Sequence, residues 1–310
     1  MFRGLLLSIF FLNCLELAAQ IKFPLEVKSG HLISTWQVAG SSNTRVFLES
    51  GFPTVVIDKH FADQHLADLV TFKEPNQQNS IVLWAEQKRH QIISLINDSI
   101  HVNGKKIFLN AVVVDLSLIP EWKEYDMIFP IKELGQVIKI NLQNLSLEVG
   151  GDITPDASSC IWKMQADSDT KGLFIHGKLE IFDSCGMAEK LSGNFLLDLG
   201  AANAFYLNSN HIEVEQFLER SKQMKLDESS YKTSSSLKNI NVLVPDIIHF
   251  QDVEIFENHI VSLKLYNSGR TENYFGIIGI RFLENFETTI DFSDNIIVLK
   301  PITTVARRIK

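Results

Sequence analysis

The chain has 310 residues, 45% of them hydrophobic and only 8 of them proline, enough apolar side chain for one large core or two medium ones, so disorder is not expected. Its formal net charge of −8 repels nucleic-acid phosphates and anionic lipid, and the one compact basic cluster is the tail Arg307, Arg308 and Lys310. Nucleic acid is therefore set aside as a partner.

Residues 1–19 read as a signal peptide: Arg3, an apolar run over 5–12, then Ala18-Ala19 before the cut. That run is shorter than the roughly 20 residues a membrane span needs. The mature chain is expected to be exported, periplasmic or secreted, without a span. Asn13 is a poor residue before a lipidated cysteine, which argues against anchoring through Cys14. Cys160 and Cys185 remain; in an oxidising compartment they either form a disulfide or stay two free thiols, and neither sits in a metal motif.

Residues 23–38 alternate polar and apolar around Lys28-Ser29-Gly30, a hairpin signal. Residues 44–48 lead as a strand into Glu49, 54–58 are β-rich, and 60–69 suit one short helix. After the polar stretch 74–80, a hairpin is expected with its strands at 81–85 and 90–96 and its tip at 86–89. Another, over 99–111, turns at Asn103-Gly104. Residues 112–116 read as a buried strand, and 137–149 as a strand pair turning near Gln143-Asn144. The Gly-, Asp- and Ser-rich joint that follows places a first lobe at 20–150, a linker at 151–158 and a second lobe at 159–310. In the second lobe, strands are expected at 159–164, 171–182, 195–198, 239–244 and 246–256, a helix at 211–224 and a closing pair at 286–299. Residues 246–256 stand in order against 112–116.

One stretch organises the whole. Residues 195–201, FLLDLGA, run as a strand into Asp198 and then a small-residue turn; residues 46–52, VFLESGF, have the same plan around Glu49, 149 residues earlier. The same offset relates Met127 to Gly276, at the heads of MIFPI and GIIGI. Two matched landmarks point to an internal duplication and a pseudo-twofold pair of lobes. Short strands and few helices point to an all-β protein.

Such a duplicated lobe, with a strand, an acidic residue, a small turn and a later hydrophobic-hydrophobic-glycine stretch, resembles the aspartic proteases of the pepsin and retropepsin type. The resemblance covers nearly all of the mature chain. It implies a bilobal pepsin-like fold of two β-barrel-like lobes with few short helices, a monomer, no cofactor and no metal. It also implies an interlobe cleft for an extended polypeptide under a hairpin flap, with Glu49 and Asp198 as the pair that activates water. Ser50, Gly51, Leu199, Gly200, Ala201 and Gly279 would support them. Two carboxyls about 3 Å apart cannot both ionise, so one serves as acid and the other as base.

Four departures bear on activity. Glu49 carries one methylene more than aspartate, and catalytic geometry tolerates only about 0.5 Å. Leu199 replaces a hydroxyl residue that would brace the opposite loop, leaving Ser50 to brace from one side at most. Pro130 stands at the position of Gly279 without an amide donor. Trp84 lies in the expected flap, either covering a ligand or packing in the core. A cleft that binds polypeptide with weak or lost proteolysis is the favoured reading; the alternative is an active endopeptidase using Glu49 and Asp198. Asp58, His60, Asp63 and His65 read as solvated helix residues rather than metal ligands, and Asp58, Asp115 and Asp126 as strand-end caps.

Overall fold

The computed structural model describes residues 21–72, 80–83, 88–120, 122–166, 172–183, 185–223, 227–231, 240–244, 247–256, 263–266, 274–302 and 306–308. The signal peptide at 1–19 and Trp84 lie outside them.

The first hairpin forms where expected. Strands Ile21–Lys28 and His31–Val38 meet at Ser29 and Gly30, both at positive φ (54° and 79°), the turn whose twist matches that of the flanking strands. Strand Ser41–Glu49 pairs antiparallel with His31–Val38 and ends on the first acidic residue. Because strand side chains alternate, Val46 and Leu48 enter the main core while Phe47 faces a second apolar cluster. Strand Met127–Pro130 runs parallel to this element, setting Met127 opposite Val46 and Pro130 opposite Glu49. Its other edge is antiparallel to Val55–Asp58, which in turn runs parallel to Lys105–Val114.

The second lobe repeats these pairings. Phe195 in strand Ala188–Leu197 stands opposite Gly276 in the parallel strand Gly276–Ile278, the counterpart of Val46 opposite Met127. Strand Phe205–Asn208 is antiparallel to Gly276–Ile278 and parallel to Leu263–Tyr266. The lobes join through an antiparallel sheet in the order Ile21–Lys28, Ser146–Val149, Val137–Asn141, Phe286–Asp291, Ile296–Pro301, Cys160–Ala166. Its middle pair comes from different lobes, with Lys139 opposite Thr289, so the two acidic strands are set about a pseudo-twofold axis. The result is a mainly β, bilobal molecule. One core runs through both lobes, from Phe23, Trp36 and Phe129 to Phe195, Phe250 and Phe286.

Several expectations need correction. The helix at 60–69 is Lys59–His65 followed by a 3-10 turn, Ala67–Leu69, with the break at Leu66. The return strand at 90–96 is divided: Lys88–Gln91 pairs with Ser80–Leu83 as a separate two-stranded sheet, and Ser94–Val102 begins the Asn103-Gly104 hairpin. The strand at 246–256 is a hairpin, Ile247–Phe250 and Val253–Phe256, because Gln251 takes φ 58°. The partner equivalent to residues 111–114 is therefore Leu263–Tyr266, which carries the matching parallel pairing. Of the two alternatives left open for the cysteines, the structure takes the unbridged one: Cys160 is buried in the interlobe sheet opposite Leu299, while Cys185 is exposed in the turn after Phe182. Among the described residues no helix is long and apolar enough to cross a membrane.

Candidate active site

Glu49 is the last residue of its strand, and Asp198 follows Leu197 at the end of the matching one. Each carboxyl is held by its own loop. Glu49 Oε1 accepts from the Ser50 and Gly51 amides at 3.0 and 3.1 Å, and Asp198 Oδ1 accepts from the Gly200 amide at 2.8 Å. The two carboxyls hydrogen bond to each other across the lobes. Gly200 makes this possible: a Cβ there would lie 2.1 Å from Glu49 Oε2 and 3.2 Å from Asp198 Oδ1, so only glycine leaves room for the longer side chain to cross.

Enclosure within the protein raises the pKa of Glu49 well above its ordinary value of 4.5. The Asp198 charge and the bond to it act in the same direction, and the Gly51 and Ser50 amides oppose them. Glu49 is thus the proton holder of the pair. Ser50, itself buried, ties the loops: its Oγ donates to the Leu197 carbonyl at 2.8 Å and accepts from the Leu199 amide at 2.9 Å. Leu199 is fully buried in the core and has no hydroxyl to return that brace.

The second loop is laced to the strand that supports it. The Asp198 amide donates to the Ile278 carbonyl, the Gly279 amide to Ala204 and the Ile280 amide to Ala201, each at 2.9 Å. Ala201 is buried, and its amide donates to the Asp198 carbonyl at 3.2 Å. In the first lobe Pro130 stands at the position of Gly279 and has no amide to donate.

The fold as a whole has a counterpart among solved structures. The chain is similar to the crystal structure of an aspartic proteinase from Irpex lacteus, with a TM-score of 0.59 and 10% identity over 93% of this chain and 98% of that one. This chain has the pepsin-like aspartic proteinase fold. No protein-family profile matches it, and no curated protein matches it.

Within that fold, Glu49, Ser50, Gly51, Asp198, Leu199, Gly200, Ala201 and Gly279 come together at the meeting of the lobes. Asp58, Asp115 and Asp126 do not join them. Asp58 caps the helix Lys59–His65 by accepting from the His60 and Phe61 amides and also accepts from Leu116; Asp115 accepts from the Ser117 amide, and Asp126 from the Arg45 amide. Three further side chains reach the acidic loops without having been singled out in the sequence. His31 Nδ1 lies 2.8 Å from the Gly200 carbonyl. Tyr206 accepts from Asn203 Nδ2 and has its pKa raised, by burial first and in part by the Asp198 charge. None of the three lies in a local motif, so pattern reading had no signal for them.

The raised pKa of Glu49 fixes the sign of a pH effect on stability. Between its unfolded value near 4.5 and its folded value, the native state holds a proton that the unfolded chain releases, so this contribution is complete below about 4.5 and is lost as pH rises through the folded pKa. Glu49→Gln keeps the shape and a donor toward Asp198 but does not titrate. It should unfold close to the wild-type denaturant midpoint at low pH and be more stable at neutral pH, by on the order of 2 kcal/mol. Parallel denaturant curves at the two pH values measure the difference.

Proposed function

We propose that the cleft between the lobes binds an extended polypeptide through backbone hydrogen bonds and that hydrolysis there is weak or lost. The observation that carries this reading is the one-sided brace: Ser50 ties the second loop to the first, but Leu199 returns nothing, and the first carboxyl is one methylene too long. Geometry misplaced by about 1 Å costs roughly a hundredfold in rate. Binding does not need that accuracy. Each acidic strand also carries an apolar cluster apart from the main core, Phe47 with Phe52, Trp122 and Tyr125 in one lobe and Leu196 with Phe174 and Tyr274 in the other. Ile81, from the separate hairpin Ser80–Leu83 and Lys88–Gln91, packs on the first of these, as a flap would. The protein is expected to act as an exported monomer.

The hydrogen-bonded acid pair favours a second reading, an acid endopeptidase. There the Asp198 carboxylate would take a proton from a water as it attacks the peptide carbonyl, and Glu49 would give its proton to the carbonyl oxygen. Labelled extended peptides titrated at mildly acidic pH separate the two. Binding that a statine-containing peptide competes away, with the peptides intact afterwards, supports the first. Fragments that disappear with Asp198→Asn support the second, and absence of binding by any peptide overturns both.

A further inference from the structure

The turn of the first hairpin is docked on the second lobe. Gly30, at φ 79°, packs so closely that a Cβ there would fall 2.4 Å from Ala202 Cβ and 2.9 Å from Ala202 Cα. His31 follows it and secures the contact, with Nδ1 2.8 Å from the Gly200 carbonyl oxygen across 169 residues of chain. A carbonyl only accepts, so Nδ1 carries the hydrogen and Nε2 is the atom that titrates. The ring is part-buried beside Phe47, with centroids 5.3 Å apart. Burial lowers its pKa from the ordinary 6.5 and outweighs the Gly200 bond and the Asp198 charge, which both favour the protonated ring.

Three side chains from two lobes converge on Gly200. Its amide donates to Asp198 Oδ1, Glu49 Oε2 occupies the space its missing side chain would take, and its carbonyl accepts from His31. Held on both sides of its Cα, Gly200 cannot rotate without giving up one of these bonds. We propose that His31 is a positioning residue for the acid pair: by gripping the Gly200 carbonyl from the first lobe, it sets the approach of Glu49 to Asp198 and keeps a proton between them. Among the described residues, Asp198 is the ionisable group that bears on Glu49, and His31 and Tyr206 in turn feel the Asp198 charge. The inference rests on the reading of this cleft as the working site, yet the titration of Glu49 is a property of the protein without ligand.

The test follows the protonated Glu49 carboxyl by infrared spectroscopy in the whole protein, assigned by its loss in Glu49→Gln, alongside binding of a statine-containing peptide. His31→Leu removes the donor and is expected to move the Glu49 midpoint down toward 4.5 and weaken peptide binding about tenfold. His31→Asn, whose amide nitrogen stands near the place of Nδ1 and does not titrate, should restore both. If His31→Leu does not fold, His31→Gln, with its amide nearer the place of Nε2, is expected to show the same downward shift. A Glu49 midpoint unchanged in the donor-less variant, or left unrestored by asparagine, overturns the inference. A midpoint that moves and returns as expected, in a protein that binds no peptide at all, upholds His31 and defeats the polypeptide reading.

Discussion

Changing Glu49 to Asp and Leu199 to Thr in the same chain is expected to raise hydrolysis of a denatured protein in mild acid about a hundredfold, whereas either change alone gains little. The two departures compensate for each other. On the second loop, the Leu199 amide donates to Ser50 Oγ at 2.9 Å. By the pseudo-twofold relation the Ser50 amide should find a hydroxyl on residue 199, and leucine provides none. It donates instead to Glu49 Oε1 at 3.0 Å, which the extra methylene brings within reach. Shortening Glu49 alone leaves that amide short of an acceptor, a loss of about 1–3 kcal/mol when buried. Installing threonine alone adds a hydroxyl whose donor is already engaged. Made together, the changes hand the Ser50 amide to the threonine oxygen and free the shorter carboxyl to face Asp198. A double-mutant cycle on initial rates with an internally quenched substrate measures the coupling. Strictly additive effects would show that Glu49 and Leu199 are independent, and a double variant no faster than wild type would show that geometry is not what limits hydrolysis.

That coupling explains which parts of the site were legible in the sequence. The offset of 149 residues between Glu49 and Asp198 was readable because a strand, an acid and a small turn are a local pattern, and the pairing of Val46 with Met127 and Phe195 with Gly276 reproduces it. Turn dipeptides likewise placed Ser29-Gly30 and Asn103-Gly104, since their positive φ is a property of two residues. Contacts between distant segments left no such trace. Strand Leu263–Tyr266 is short and owes its place to pairing with Phe205–Asn208 on one side and Ile240–Val244 on the other. His31 reads as an ordinary strand residue until Gly200 is brought opposite it. The cysteines are a case the sequence left open, since spacing alone does not place two Cβ atoms; the sheet position of Cys160 and the exposed turn of Cys185 keep them unbridged.

Gly279→Ala should be the most damaging small substitution near the site, costing more than about 4 kcal/mol, with the second lobe failing to fold in full. The reason is what its methyl would meet. A Cβ at Gly279 lies 2.1 Å from the Asn203 carbonyl oxygen and 2.4 Å from that of Ala201, both backbone atoms that no rotamer change can remove. Relief requires the stretch 201–203 to move away, yet the Ala201 carbonyl accepts from the Ile280 amide and the Ala204 carbonyl from Gly279 itself. Displacing them leaves buried amides without acceptors and lets the Asp198 loop drift from Glu49. Gly200→Ala makes the contrast: its methyl would also meet an atom at 2.1 Å, but that atom is Glu49 Oε2, the end of a side chain that can swing aside. It should therefore fold and lose the proton-sharing pair, whereas Gly279→Ala loses the loop. Denaturant midpoints of the two variants, read by tryptophan fluorescence, decide the matter, and a Gly279→Ala protein within about 1 kcal/mol of wild type would mean that residues 201–203 are far more yielding than their bonds suggest. The first lobe already carries a ring at the equivalent Pro130, so the bond that the Gly279 amide gives to Ala204 has no counterpart there. The Ser50 brace and the reach of Glu49 hold its acidic loop instead, which is why the two acids differ in kind as well as in length.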